Sequence, residues 1–158
     1  GRPDLLANDL KDEYNIELSD LLNVRTFLDH NRTWEVPKQH YDFTNNSSGA
    51  YAYQGEHLKN GDVEASLMEH LSKWKPYVEK FGLLIIELHT INTNLISKNI
   101  GKTTSTAYDA THGYSDQYIL ELDVFKEACK KAGLFSDKNY FVKFPNNELA
   151  TISINLLK

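Results

Sequence analysis

The chain has 158 residues, of which 25% are charged, and a net charge of −5. These values are ordinary for a single globular domain over residues 1–158, and they argue against nucleic acid as the main partner, since that role usually needs a basic face. The lone Cys129 excludes an internal disulfide and is compatible with a reducing cytoplasm. No apolar run approaches the roughly 20 residues of a membrane span, so we expect a cytoplasmic protein with no membrane partner.

The first predicted elements are a short helix over residues 4–13 and a buried strand over 21–28. This strand ends in a polar run at 29–32. Residues 33–60 then form a long excursion rich in Asn, Ser and Gly. A loop of that length in a compact domain is usually functional.

The clearest predicted helix spans residues 62–81, where apolar side chains recur every three or four residues and form one stripe. Asp62 suits its N-cap, Pro76 should kink its last turn, and Gly82 should end it. The apolar run 83–86 follows directly. Such a run is expected of a strand covered on both faces of a parallel sheet.

A second helix is predicted over residues 123–132 and a strand over 140–144, followed by a turn at 145–148. Apolar and polar residues alternate over 150–156, which predicts a strand with one buried face. The order strand, helix, strand, helix and hairpin predicts an α/β domain. Its sheet should be mostly parallel, with an antiparallel last strand at or near one edge.

Polar side chains close both strands of the predicted parallel pair. Asp29, His30 and Arg32 follow the first strand, and Glu87 and His89 close the second. Ligands of open α/β sheets bind outside the carboxyl ends of the strands, so we expect these groups to lie side by side. Adjacent residues of a strand point to opposite faces, which should prevent Asp29 and His30 from reaching one atom. Glu87 and His89 could also form a purely structural pair.

A third polar segment, residues 107–118, mixes small, polar and aromatic residues with no helical or strand period. This composition is typical of a pocket wall, where aromatic bodies exclude water and a few polar groups converge. His112 and Gln117 are its candidate site residues. Its tyrosines, which either line the pocket or pack in the core, are Tyr108, Tyr114 and Tyr118.

Two chemistries fit these groups. A carboxylate, an imidazole and an amide from separate segments would form a site open on one side, suited to mononuclear iron or manganese with positions left for a substrate oxygen. In the metal-free alternative, His30 acts as general base and Glu87 holds its tautomer. Both remain open at this point. The other histidines, expected to be ordinary surface or loop residues, are His40, His57 and His70.

The motifs at 28–32, 81–91 and 107–118 together resemble the C-terminal half of a methyltransferase domain of modular polyketide synthases, of the apratoxin and saxitoxin loading-module type. The resemblance covers most of residues 3–134. It implies the C-terminal half of a Rossmann-like class I methyltransferase sheet and a mononuclear metal, iron by preference. It also implies that S-adenosylmethionine methylates a malonyl group on an acyl carrier protein, at the carbon between the two carbonyls.

The resemblance also implies a set of site residues. The Asp, His and Gln ligands of the family carry over to Asp29, His89 and Gln117. His30 competes with Asp29 for this role, and His112 competes with Gln117. A group that does not ligate could act as base or orient the carboxylate, as Arg32 could. The metal would be a Lewis acid that stabilises the enolate.

One departure concerns the methyl donor. Such enzymes hold it at a glycine-rich loop after their first strand, whereas this chain has eight glycines, none spaced Gly-x-Gly. We therefore expect an acceptor-side half of a methyltransferase, cut from a longer chain, that binds S-adenosylmethionine weakly or not at all by itself. Its partners would be the carrier-bound substrate and neighbouring synthase domains, and its open sheet edge would favour self-association. A non-catalytic module that docks acyl carriers is the alternative of another class.

Overall fold

The fold is given by a computed structural model that describes residues 1–105, 112 and 115–158. The helices of these residues are α1 (Pro3–Tyr14), α2 (Asn60–Ser72), α3 (Lys75–Val78), α4 (Thr93–Lys98) and α5 (Leu122–Lys131). The strands are β1 (Asn23–Thr26), β2 (Tyr51–Tyr53), β3 (Glu56–Leu58), β4 (Leu83–Leu88), β5 (Val142–Phe144) and β6 (Ile152–Leu157). In this part of the chain, no helix has the length and apolar character to cross a membrane.

The main sheet has the strand order β1-β4-β6-β5. β1 pairs with β4 in parallel, with Val24 opposite Leu84. β6 lies between β4 and β5 and is antiparallel to both. Thus β1, β4 and β5 share one direction and β6 alone opposes them. The predicted α/β fold, mostly parallel with an antiparallel terminal hairpin, is confirmed.

The predicted helix over 62–81 is two helices. α2 ends at Ser72, and α3 begins at Lys75 with Pro76 in its first turn. A proline cannot donate the hydrogen bond of a helix interior but fits a first turn, so the helix stops and restarts there. The prediction of Asp62 as N-cap is wrong, because α2 begins at Asn60 and Asp62 lies in its first turn, where its charge still favours the helix dipole.

Gly82 ends this helical region, as the sequence predicts. Its φ is +98°, and its N–H donates to the carbonyl of Val78 at 2.8 Å. A Cβ atom here would lie 2.8 Å from Leu156 Cδ1 and 3.0 Å from the carbonyl oxygen of Leu157. Only glycine combines this backbone conformation with so close an approach to β6.

The long excursion at 33–60 contains the β2–β3 hairpin. Gln54 and Gly55 both have positive φ, which is the geometry of a two-residue hairpin turn. The first predicted strand, 21–28, is shortened to Asn23–Thr26, and Phe27, with a φ of +54°, ends its extended conformation.

α2 and α5 contribute to the hydrophobic core on one face of the sheet. The large side chains that are fully buried in this core include Leu71, Phe125, Leu83 and Ile85. Burial alternates along β4 and β6, which places the odd-numbered residues of both strands on this covered face. The prediction that β4 is covered on both faces is therefore wrong, since its even-numbered residues are only partly buried.

Candidate functional site

The parallel pairing of β1 and β4 brings Glu87 and His30 together. Glu87 Oε2 accepts the backbone N–H groups of Asp29 at 2.9 Å and His30 at 3.3 Å. Its Oε1 accepts the N–H of Leu88 at 2.7 Å and lies 2.5 Å from His30 Nδ1. With Glu87 only 2% exposed, these contacts fix the carboxylate in one orientation.

The contact with Glu87 fixes the orientation and the tautomer of the His30 imidazole. A carboxylate accepts only, so Nδ1 carries the proton and Nε2 is the basic nitrogen. The carbonyl of His30 accepts the N–H of Tyr118 at 2.7 Å, which fixes its backbone. Its ring meets that of His112 edge to face, with centroids 5.5 Å apart. We call His30 and Glu87 the dyad.

His112, whose ring contacts His30 of the dyad, lines a cavity of about 270 Å³, which we call the His112 cavity. Its lining includes Ser48, Tyr51, Thr90, His112, Gln117 and Ile119. The two candidates of the 107–118 segment, His112 and Gln117, thus share one cavity, and the N–H of Gln117 donates to the carbonyl of His112 at 3.1 Å. Tyr108 and Tyr114 lie outside the described residues. Tyr118 is buried in the core, and burial raises its pKa to about 12.

The contacts of Arg32 stabilise the fold. Its guanidinium donates to the carbonyls of Asp29 at 2.9 Å and Val63 at 2.8 Å, and to Ser66 Oγ at 3.3 Å. Burial lowers its pKa to about 10, which leaves it charged at neutral pH. Arg32 therefore ties the end of β1 to α2.

Asp29 lies in a buried ionic cluster. Its Oδ1 accepts from Arg25 Nε at 3.0 Å, and it lies 2.9 Å from Arg25 Nη2 and 3.0 Å from His70 Nε2. Burial alone would raise the pKa of Asp29, but the hydrogen bonds with His70 and Arg25 and the charge of Arg25 outweigh it, and the pKa is lowered. The carboxylate is therefore ionised. Its Oδ1 is occupied by these two partners, whereas its Oδ2 is buried with no hydrogen-bond partner among the described residues.

The expectation that His70 is an ordinary surface or loop residue is wrong, because it is only 6% exposed and contacts Asp29. The spacing of residues in the sequence already indicated that His70 is buried. His70 follows Leu67 by three residues and precedes Trp74 by four, so it lies within the apolar stripe of the helix.

Both ring nitrogens of His89 contact other groups of the fold. Nδ1 lies 3.3 Å from the carbonyl of Leu120, and Nε2 lies 2.6 Å from Ser153 Oγ. Its ring also packs edge to face on Phe125. Burial lowers the pKa of His89 to about 3, so the imidazole is neutral.

Each of the predicted iron or manganese ligands contacts a different partner. Asp29 contacts Arg25 and His70, His89 contacts Ser153, and Gln117 Nε2 donates to Asn31 at 3.2 Å. Within residues 1–105, 112 and 115–158, no three His, Cys, Asp or Glu side chains are placed to hold a metal ion. The contacts of Asp29, His89 and Gln117 therefore do not support this mononuclear site, which stays a prediction.

A family model described as the AprA MT2-like domain matches residues 1–155. The chain belongs to this family. It is thus related to a methyltransferase domain of apratoxin-type polyketide synthases, as the sequence resemblance indicates. A search of curated proteins gave no match.

Two buried carboxylates that the sequence analysis missed, Glu64 and Glu121, hold one wall of the His112 cavity in this methyltransferase domain. Glu64 Oε1 accepts the N–H of Ser47 at 2.6 Å, and Glu121 Oε2 accepts its hydroxyl at 2.5 Å. Glu121 Oε1 also accepts the N–H and hydroxyl of Ser48, each at 2.7 Å. Both acids lie near helix N-termini, where a carboxylate is usually a solvated partner of the dipole, so sequence gave them no special weight.

Glu64 carries a pKa that makes this wall sensitive to pH. Burial raises the pKa of Glu64 to about 7; the bond from Ser47 opposes the shift, and the charge of Glu121 adds to it. Its second oxygen, Oε2, is buried with no partner among the described residues. Ionised Glu64 is thus the unfavourable form in the folded domain.

Replacing Glu64 with glutamine is expected to flatten the pH dependence of unfolding between about pH 4.5 and 7. In the wild type the unfolded state loses this proton first, so the free energy of unfolding falls as the pH rises through that window. Glutamine stays neutral, and the variant should be more stable above pH 7 by about 1–3 kcal/mol. Urea unfolding over the same range measures this, with the exposed Glu13→Gln as control. Parallel curves for wild type and variant would contradict the assignment.

Proposed function

We propose that this methyltransferase domain transfers the methyl group of S-adenosylmethionine to a malonyl group on an acyl carrier protein, with His30 as general base. The observation that carries the proposal is the 2.5 Å contact between His30 Nδ1 and Glu87 Oε1 beside the His112 cavity. A histidine whose tautomer is fixed by a carboxylate is a recurring proton acceptor in enzymes.

In the proposed step, His30 Nε2 takes a proton from the malonyl carbon between the two carbonyls. The resulting enolate carbon attacks the sulfonium methyl, so a carbon–carbon bond forms, the carbon–sulfur bond breaks, and a neutral thioether leaves. Glu87 stabilises the imidazolium that His30 becomes, and the proton then passes to water. Positioned general bases contribute typically about 10²–10⁴-fold to a rate.

The dyad also favours the metal-independent alternative over the metal-dependent one. The dyad is assembled, whereas the side chains that would hold iron or manganese are bonded to separate partners. The step above is therefore assigned to His30. Since the chain has no Gly-x-Gly loop, no residue is assigned to the methyl donor. Neighbouring polyketide synthase domains remain proposed partners through the family.

The test is methyl transfer by the full-length protein from labelled S-adenosylmethionine to malonyl carrier protein, followed by mass spectrometry of the carrier. His30→Ala should slow the reaction about 10²–10⁴-fold, and the exposed His40→Ala should not. Unchanged activity of His30→Ala would overturn the role of the dyad. Activity lost to a chelator and restored by iron would support the metal-dependent reading instead. Carrier binding without methyl transfer by wild type would indicate the docking module.

A further inference from the structure

A second cavity, of about 300 Å³, lies between α5, β6 and the segment at 134–141. We call it the α5 cavity. Its apolar lining comes mainly from Cys129, Leu134, Phe135, Phe141 and Leu157. This volume is at the lower end of the range of small-molecule sites, whose walls are mostly apolar with a few placed polar groups.

The charged groups of the α5 cavity are all cationic. Lys126, Lys130 and Lys138 line it, and no aspartate or glutamate does. The ion pair of the same helix joins Lys131 to Glu127 and leaves these three lysines without a carboxylate partner in the described part of the chain. This concentration of positive charge occurs on a chain with a net charge of −5. It therefore marks a local preference for an anion.

Lys126 is the most constrained of these lysines. Its Nζ lies 3.3 Å from the centroid of the Phe141 ring. Burial and the nearby charge of Lys143 lower its pKa. A cation partly removed from water next to a second cation is stabilised by an anion placed between it and the solvent.

The lining of the α5 cavity includes a buried acceptor with no partner among the described residues. Asn155 is fully buried, and its Nδ2 donates to Ser153 Oγ at 2.7 Å. Its Oδ1 has no hydrogen-bond partner among the described residues. Exchanging the two ends of the amide would leave an unpaired N–H group instead. An orphaned buried polar group costs about 1–3 kcal/mol.

We propose that the α5 cavity binds an anionic amphiphile. The anionic head, a carboxylate or a phosphate, would contact Lys126, Lys130 and Lys138, and the acyl chain would lie along Leu134, Phe141 and Leu157. A hydroxyl or amide N–H at the inner end would donate to Asn155 Oδ1. This site is separate from the dyad and does not depend on methyl transfer.

Calorimetric titration of the full-length protein with 8-hydroxyoctanoate, octanoate, octyl phosphate and 1-octanol tests the head group. The anions should bind and 1-octanol should bind at least about tenfold more weakly, since each exposed charge pair contributes up to about 1 kcal/mol. The ratio of octyl phosphate to octanoate affinity distinguishes a phosphate ligand from a carboxylate ligand. Equal affinity for all four probes, or binding of none of them, would overturn the proposal.

Substitution tests the residues. Lys130→Gln with Lys138→Gln should weaken binding of 8-hydroxyoctanoate about tenfold, whereas Lys11→Gln with Lys98→Gln, on other helices, should not. Asn155→Leu should remove the preference for 8-hydroxyoctanoate over octanoate. Should Asn155→Leu fail to fold, the lysine pair carries the test. Unchanged affinity in the lysine variant would overturn the site.

Discussion

Glu87→Gln is expected to slow methyl transfer about 10²-fold or more and to destabilise the fold by about 1–3 kcal/mol. Glu87 accepts hydrogen bonds on both oxygens, from two backbone N–H groups on Oε2 and from Leu88 and His30 on Oε1. An amide has only one accepting end. The glutamine therefore cannot accept hydrogen bonds from both sets of donors.

Each orientation of the glutamine has its own defect. With its oxygen toward the N–H groups of Asp29 and His30, its NH₂ group faces His30 Nδ1 and forces the proton onto Nε2, the nitrogen that should act as base. With its oxygen toward His30 Nδ1, the NH₂ group faces two buried backbone donors that then lack an acceptor. The first orientation removes catalysis and also leaves the N–H of Leu88 without its acceptor, and the second lowers stability.

Both effects can be measured on one preparation. The rate of methyl transfer against pH should lose its basic-group limb in Glu87→Gln, and urea unfolding should report the lower stability. Glu13→Gln, exposed at the end of α1, is the control. A variant that keeps both the wild-type pH profile and the wild-type stability would show that Glu87 does not position His30.

Asp29→Asn is expected to lower the free energy of unfolding by about 3 kcal/mol, because it leaves the buried Arg25 guanidinium without a counter-ion. Arg25 also lies over the Trp74 ring, with Cζ 4.8 Å from its centroid, and cannot easily turn to solvent. His70 does not compensate, since burial lowers its pKa and favours its neutral form. The effect should therefore be one of folding rather than of catalysis.

Urea unfolding and metal analysis together decide the role of Asp29. The control is Asp4→Asn, which breaks the exposed ion pair with Arg2 and should change stability little. A stable Asp29→Asn protein that has lost bound iron or manganese would restore Asp29 as a metal ligand. An unstable protein with unchanged metal content supports the ionic cluster.

The sequence predicted the order of elements because each carries a clear periodicity or terminator. The stripe through Val63, Leu67 and Leu71 predicts α2, Gly82 ends the helical region, and alternation over 150–156 predicts β6. The N-terminal boundary at Asn60 was missed because Asp62 is a favoured N-cap residue, whereas Lys59, the N-cap in the structure, is not. Such end effects are decided by tertiary contacts.

The site was predictable as a region but not as a set of bonds. The rule that ligands bind at strand ends located His30 and Glu87 together. It could not show that His89, two residues after Glu87, would bond to Ser153, because that depends on the insertion of β6 beside β4. It also could not show that Asp29 would pair with Arg25 and His70, which requires the packing of α2 on the sheet.

The strand order β1-β4-β6-β5 implies that each proposed site joins a central strand to an edge of the sheet. β4, which carries Glu87, and β6, which carries Asn155, each have a neighbouring strand on both sides, whereas β1 and β5 are short edge strands. Amide hydrogens of β1 and β5 should therefore exchange with solvent before those of β4 and β6. Glu87 and Asn155 are tied to the slowly exchanging centre, while His30, which follows β1, borders a part of the sheet that fluctuates more.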